Sequence, residues 1–246
     1  MMASIAVIEA IERVAASREP ILSFVRKSNI TPRRLGVFAS SFNPVTIAHV
    51  ELVKLSVKAY LLDEALLLSS CSNADKQEYE CTLEDRVEMV LAAYAARGDA
   101  SIGLCSSAFF VDMIDAIRKE YGPSPECYFI LGFDTFERLL DQSGRYFPRY
   151  QRRFETRTDA FKRLFSQSSV IVAGRGDKGA RELKVLVDNE SVNIRDAISF
   201  LDFPGEYAEL SATKARARLK AGLSIEGLVP LEVAEYIKEH RLYGSK

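Results

Sequence analysis

Short apolar runs alternate with segments of helical period along most of this chain, and that alternation limits its folding more than any other feature. Residues 34–39 (RLGVFA), 64–70 (EALLLSS), 100–106 (ASIGLCS), 126–132 (ECYFILG) and 168–174 (SSVIVAG) are strand-length and largely apolar. Between the earlier ones lie helical patterns from Thr46 onward, over 83–97 and over 110–120. Runs of this length bounded by turn residues are read as buried strands. Strands that alternate with helices need right-handed crossovers, and these produce a parallel sheet covered on both faces. The expected class is therefore α/β, a doubly wound parallel sheet, with ligands bound beyond the carboxyl ends of its strands.

Two segments stand apart. Ile5, Ile8, Ile11, Val14, Ile21, Phe24 and Val25 recur at roughly helical spacing around Pro20. This predicts two short helices, so residues 1–30 are expected as an N-terminal helical extension and 31–246 as the main domain with C-terminal helices. Residues 143–166 are dense in arginine and aromatics. They read either as a helical excursion with a solvated basic face or as a flap over an anionic substrate.

Composition narrows the function. In 246 residues the formal charge is only -1, so bulk nucleic-acid binding is disfavoured and any phosphate site must rest on locally placed groups. Cys71, Cys81, Cys105 and Cys127 form no CxxC pair, which fits reduced thiols in a cytoplasmic protein. Glu9 and Glu12 interrupt the first apolar stretch, unlike a secretory signal, and no run of about 18 apolar residues suggests a membrane span. A homo-oligomer stays open.

The end of the first main-domain strand carries chemistry. GVFASSFNPVTIAHV runs from a strand through a turn of small residues into a helix, presenting backbone N–H groups and a positive dipole end that suit phosphate. Thr46 and His49 share a face of that helix. With only His49 and His240 in the chain, a histidine mechanism has two candidates, and His49 has the setting. A second helix start, LSATKARAR, offers Ser211 or Thr213 as a cap with Lys214, Arg216 and Arg218 nearby. Cations there oppose the helix dipole, an arrangement that makes sense around an anion.

The stretch GVFASSFNPVTIAHVELV resembles the GxFxPxTxxH signature of the nucleotidyltransferase superfamily, in the form found in nicotinamide and nicotinate mononucleotide adenylyltransferases. LSATKAR resembles the ISSTxxR signature, ILGFDTF the GxD segment, VIVAGRG the strand ending in Arg-x-Gly, and GLSIEGLVPLEVAEYIKEHRLY the closing helices. The order agrees from residue 35 to 243. The resemblance implies a Rossmann-like nucleotidyltransferase fold and transfer of AMP from ATP to a pyridine mononucleotide. It places His49 on the ATP phosphates with Thr46, Ser41 and Phe42. Ser211, Thr213 and Arg216 fall on the β and γ phosphates, Gly132 and Asp134 at the ribose, and Arg175 beside the adenine. Lys76 and Arg86 match looser basic positions around the phosphates and acceptor. Mg²⁺ is implied as a cation carried on the ATP phosphates. Two departures stand out: Ala39 and Ser40 replace glycines common in relatives, and the chain lacks the tryptophan that stacks on the pyridine. Tyr146, Phe147 and Tyr150 are the candidate substitutes. Another phosphorylated acceptor, or a nucleotide-binding regulator or ATP hydrolase on the same fold, are the alternative readings.

Overall fold

The structure is a computed structural model that describes residues 4–70, 80–147 and 153–245. A seven-stranded sheet is built from β1 (Leu22–Arg26), β2 (Arg34–Ser40), β3 (Glu64–Ser70), β4 (Ala100–Cys105), β5 (Glu126–Gly132), β6 (Ser168–Ala173) and β7 (Ile198–Leu201). Its order is β1-β4-β3-β2-β5-β6-β7. All neighbouring pairs are parallel except β1 with β4.

From β2 the chain winds outward through β3 and β4, then returns to β5 and winds the other way through β6 and β7. The order therefore reverses between β2 and β5, and the helices following those two strands diverge to leave a crevice. The helices are α1 (Ile5–Ala16), α2 (Ile47–Tyr60), α3 (Leu83–Ala93), α4 (Phe110–Tyr121) and α5 (Phe133–Leu140), then α6 (Arg157–Phe165), α7 (Ala180–Asp188), α8 (Gly205–Ala208), α9 (Ala212–Lys220) and α10 (Leu231–Glu239).

Side chains alternate across the strands as the two-residue period requires. Phe38, Leu67, Ile130 and Ile171 enter one core layer with residues of α1, α2, α3, α9 and α10. Their neighbours Val37, Leu66, Phe129 and Val170 enter the opposite layer with α4, α5, α6 and α7. Both faces are apolar, so the strands read as continuous runs rather than as alternating ones.

The N-terminal segment differs from expectation. Residues 5–16 are a helix as read, but the second predicted helix is strand β1, paired antiparallel with β4 from Leu22↔Cys105 to Phe24↔Gly103. In so short a run the spacing of four between Ile21 and Val25 satisfies a strand's period of two as well as a helix turn, and Phe24 with Leu22 enters the opposite layer. The open edge of β4 decided between them. Within 143–166 the described part contains α6, which buries Phe161 and Leu164. Its arginines are engaged: Arg153 pairs with Asp112 and Asp115, Arg163 with Asp115, and Arg157 with Glu190.

Candidate active site

At the end of β2 the turn is tight. Phe42 adopts φ +47°, a left-handed conformation that costs a non-glycine residue about 1 kcal/mol, and buries its ring completely. That ring packs edge-on against Phe38 at 5.8 Å and against the His49 imidazole at 5.7 Å between centroids. Phe38 closes the third side at 5.7 Å from His49. The aromatic packing holds the histidine ring where the turn meets α2.

Thr46 is the N-cap of α2, and its hydroxyl accepts from the His49 N–H at 3.4 Å. In return the Thr46 backbone N–H donates to His49 Nδ1 at 3.0 Å. A backbone N–H can only donate, so Nδ1 must be the unprotonated nitrogen and Nε2 carries the proton. Burial pushes the imidazole pKa down from 6.5 to about 4. At neutral pH the ring is thus an uncharged, oriented N–H donor. Local sequence accounts for this: a threonine cap with histidine three residues later forms a capping box in which histidine replaces the usual glutamate. The Ile47 N–H is already taken by Leu228 O at 3.0 Å. Fewer helix-terminal amides remain for an anion than a bare helix start offers, and more rests on Nε2.

His49 faces a cavity of about 170 Å³ in the crevice between β2 and β5. Ser40 and Gly132 line it from the two strand ends, Arg175 from beyond β6, and Phe203 and Tyr207 from the segment around α8. The last two aromatics were not singled out from sequence. Only their position after β7, a strand too short to stand out, brings them here. Gly174 permits the approach of the following turn: a Cβ would lie 3.0 Å from the Phe200 ring and 3.1 Å from Lys178 O. Asp134, two residues after Gly132 in the first turn of α5, forms ion pairs with the cavity-lining Arg175 (2.7 Å) and with Lys178 (3.2 Å). The two residues expected at ribose and adenine are therefore neighbours.

Ser211 caps α9 by accepting the Lys214 N–H at 3.2 Å, as the sequence suggested. Thr213 lies in the first turn, with its hydroxyl 3.4 Å from Arg216 Nη2. Arg216 Nη1 reaches across to donate to Asn43 O at 2.6 Å, which joins α9 to the turn before α2. Of the nearby cations, Arg218 turns away and donates to Ser224 O at 2.5 Å.

On the acceptor side the structure redistributes the candidates. Arg86 is 3% exposed and donates to Ser41 O at 3.0 Å, bracing the turn from beneath, so its described contact is with the turn and not with an open acceptor pocket. Tyr146 and Phe147 are partly buried, with their backbone N–H groups donating to the Asp141 carboxylate at 2.9 Å each. Neither is among the residues lining the cavity. Lys76 and Tyr150 lie outside the described residues. Cys81, Cys105 and Cys127 are free thiols, and no helix among the described residues is long and apolar enough to cross a membrane.

A sheet whose order reverses beside a capped turn at the end of its first parallel strand, with an aromatic-walled cavity in the crevice, defines an α/β protein with a ligand-sized pocket at the carboxyl ends of its strands. The chain belongs to the cytidylyltransferase-like family, whose model matches residues 37–218. A protein of Geobacter sulfurreducens named "probable nicotinate-nucleotide adenylyltransferase" is 27% identical over 228 residues, covering 85% of this chain and 98% of its own length. One of the same name from Syntrophotalea carbinolica is 27% identical over 231 residues, covering 87% and 98%. Among solved structures, the nicotinic acid mononucleotide adenylyltransferase of Plasmodium falciparum complexed with NaAD shares the fold with a TM-score of 0.61 at 15% identity, over 87% of this chain and 98% of that one.

Proposed function

We propose that this protein transfers AMP from ATP to nicotinate mononucleotide, forming the dinucleotide and releasing pyrophosphate. An acceptor phosphate oxygen attacks the α-phosphorus in line, the new P–O bond forms as the bond to the β-phosphate oxygen breaks, and no enzyme-bound intermediate is needed. Both substrates are anionic, so the protein contributes alignment and donors aimed where charge accumulates.

The observation that carries this reading is the Thr46–His49 pair, a proton-bearing Nε2 fixed by a backbone donor at the mouth of the cavity. Nε2–H donates to the ATP phosphates, and its low pKa makes it a neutral donor rather than a proton source. Arg216, Ser211 and Thr213 take the departing pyrophosphate, with Ser41 and Phe42 offering turn amides and Lys76 an additional cation. Gly132 and Asp134 meet the ribose. The adenine enters the cavity between Arg175 and the aromatics Phe203 and Tyr207. Tyr146, Phe147 and Tyr150 belong to the acceptor side.

Among the described residues no three or more His, Cys, Asp or Glu converge on a metal position. A Mg²⁺ ion enters as part of the MgATP substrate, held by phosphate and water as suits a cation that dehydrates reluctantly. The names of the relatives favour the acid form of the acceptor. Pyrophosphate release is measured with ATP and nicotinate mononucleotide, nicotinamide mononucleotide, phosphopantetheine or no acceptor. Turnover highest with a pyridine mononucleotide is expected. Faster release with phosphopantetheine moves the chain to another acceptor class, and acceptor-independent ATP cleavage marks a hydrolase.

A further inference from the structure

We propose that Tyr243, near the C-terminus, is a positioning residue for the ATP phosphate site, acting through Asn43 on Arg216. This rests on the assignment of Arg216 to the departing pyrophosphate. Asn43 sits inside the turn between β2 and α2 and is engaged on both of its oxygens. Its carbonyl accepts from Arg216 Nη1 at 2.6 Å, and its side-chain Oδ1 accepts from the Tyr243 hydroxyl at 2.7 Å. The Cys81 sulfur lies 3.2 Å from the same Oδ1 and 2.9 Å from the Tyr243 oxygen. Tyr243 has one hydroxyl proton, and Oδ1 is its acceptor. The Cys81 thiol then supplies the weaker donor of the triangle. Burial pushes both the Cys81 and Tyr243 pKa values up, which keeps the triangle protonated and uncharged.

The backbone geometry supports a positioning role. Asn43 follows Phe42, at φ +47°, and Tyr243 itself sits at φ +57°, two residues after Arg241 at φ +52°. Left-handed conformations at non-glycine residues persist where surrounding contacts over-determine them, and here they lie on both sides of one hydrogen bond. Asn43 and Tyr243 are 4% and 5% exposed, so water does not replace that bond if it is lost. Glu80, next to Cys81, lies 3.4 Å from Arg216 Nε and 3.0 Å from Lys220 Nζ, which places a carboxylate charge at the other edge of the guanidinium, although Nε makes no hydrogen bond. Three segments far apart in the chain therefore meet on the turn that leads into α2 and His49, and the C-terminal one contributes a hydroxyl carried on a ring that is itself part of the core. Chemistry at the α-phosphorus is sensitive to small displacements of its donors, so a shift of Asn43 reaches the reaction through Arg216.

The test uses the full chain, with initial rates of pyrophosphate release for Tyr243→Phe, Arg216→Ala and the double variant, alongside melting temperatures. Tyr243→Phe removes one oxygen and keeps the ring. The expected result is a fall of about three- to tenfold in kcat/KM for ATP, the scale of one hydrogen bond, with the KM of the acceptor unchanged. In the Arg216→Ala background the same substitution has no further effect on ATP kinetics. Parent-like ATP kinetics for Tyr243→Phe, an equal loss in both backgrounds, or lowered melting with normal kinetics of the folded protein each overturn the proposal. If Arg216→Ala itself behaves like the parent, the pyrophosphate assignment fails and the route through it falls too. A Tyr243→Phe loss that is additive leaves that assignment standing and removes only Tyr243.

Discussion

Replacing His49 by alanine tests the site at its centre, and the structure separates its two costs. The catalytic cost is the Nε2–H donor. Because the pKa is near 4, about one ring in a thousand is protonated at pH 7, so alanine removes a neutral hydrogen-bond donor and not a charge. Loss of one preorganised donor to a transition state typically lowers kcat by 10²–10³, about 3–4 kcal/mol. The structural cost is separate. Thr46 N–H loses its acceptor and the rings of Phe38 and Phe42 lose an edge partner. A broken reciprocal cap and lost aromatic contacts together amount to about 1–2 kcal/mol, a few degrees of melting temperature in a chain of this size. The assay is pyrophosphate release at saturating substrates, with ATP affinity by calorimetry and melting by circular dichroism. A kcat loss near 10² with far smaller weakening of ATP binding is expected. A kcat change below threefold in a folded variant would falsify the donor role, whatever happens to stability.

His49 also sets an acid-side stability slope. Its folded pKa of about 4 lies below the unfolded 6.5, so between those values the unfolded chain binds a proton that the folded ring refuses. Stability is full above pH 6.5 and falls on acidification by up to about 3 kcal/mol near pH 4. Urea titrations should show His49→Ala with a flatter profile in that window, and an identical slope in parent and variant counts against the burial. Arg216→Lys keeps the charge but loses the fork, so turnover should drop severalfold with a weaker ATP KM. Parent values would make Arg216 a structural cation only. Alanine at Tyr207 should raise the ATP KM by about tenfold through loss of an aromatic wall, with acceptor KM unaffected. The reverse pattern places the adenine elsewhere. Alanine at Tyr146 or Phe147 should raise acceptor KM selectively, whereas lowered melting with unchanged kinetics assigns both to the turn held by Asp141.

Sequence alone determined the features that depend on near neighbours. The apolar runs that became β2 to β6 were legible because each is buried on both faces whatever its position in the sheet. That Thr46 and His49 share a face, and that Ser211 or Thr213 caps the second helix, were legible because such relations are settled within four residues; the structure adds that Thr46 and His49 form a reciprocal cap and that the second cap is Ser211. Whatever depended on distant partners was not legible. Residues 22–26 carry a pattern compatible with either helix or strand, and β4, some eighty residues later, made them a strand. Arg86 reads as a basic residue for the phosphates and acceptor until α3 packs it under Ser41. Phe203 and Tyr207 look like ordinary aromatics until β7 carries the chain back over the crevice. The contact between Asn43 and Tyr243 joins residues two hundred positions apart. Periodicity and capping record the face a side chain turns toward its own element, but what lies opposite that face is chosen by packing of the whole sheet.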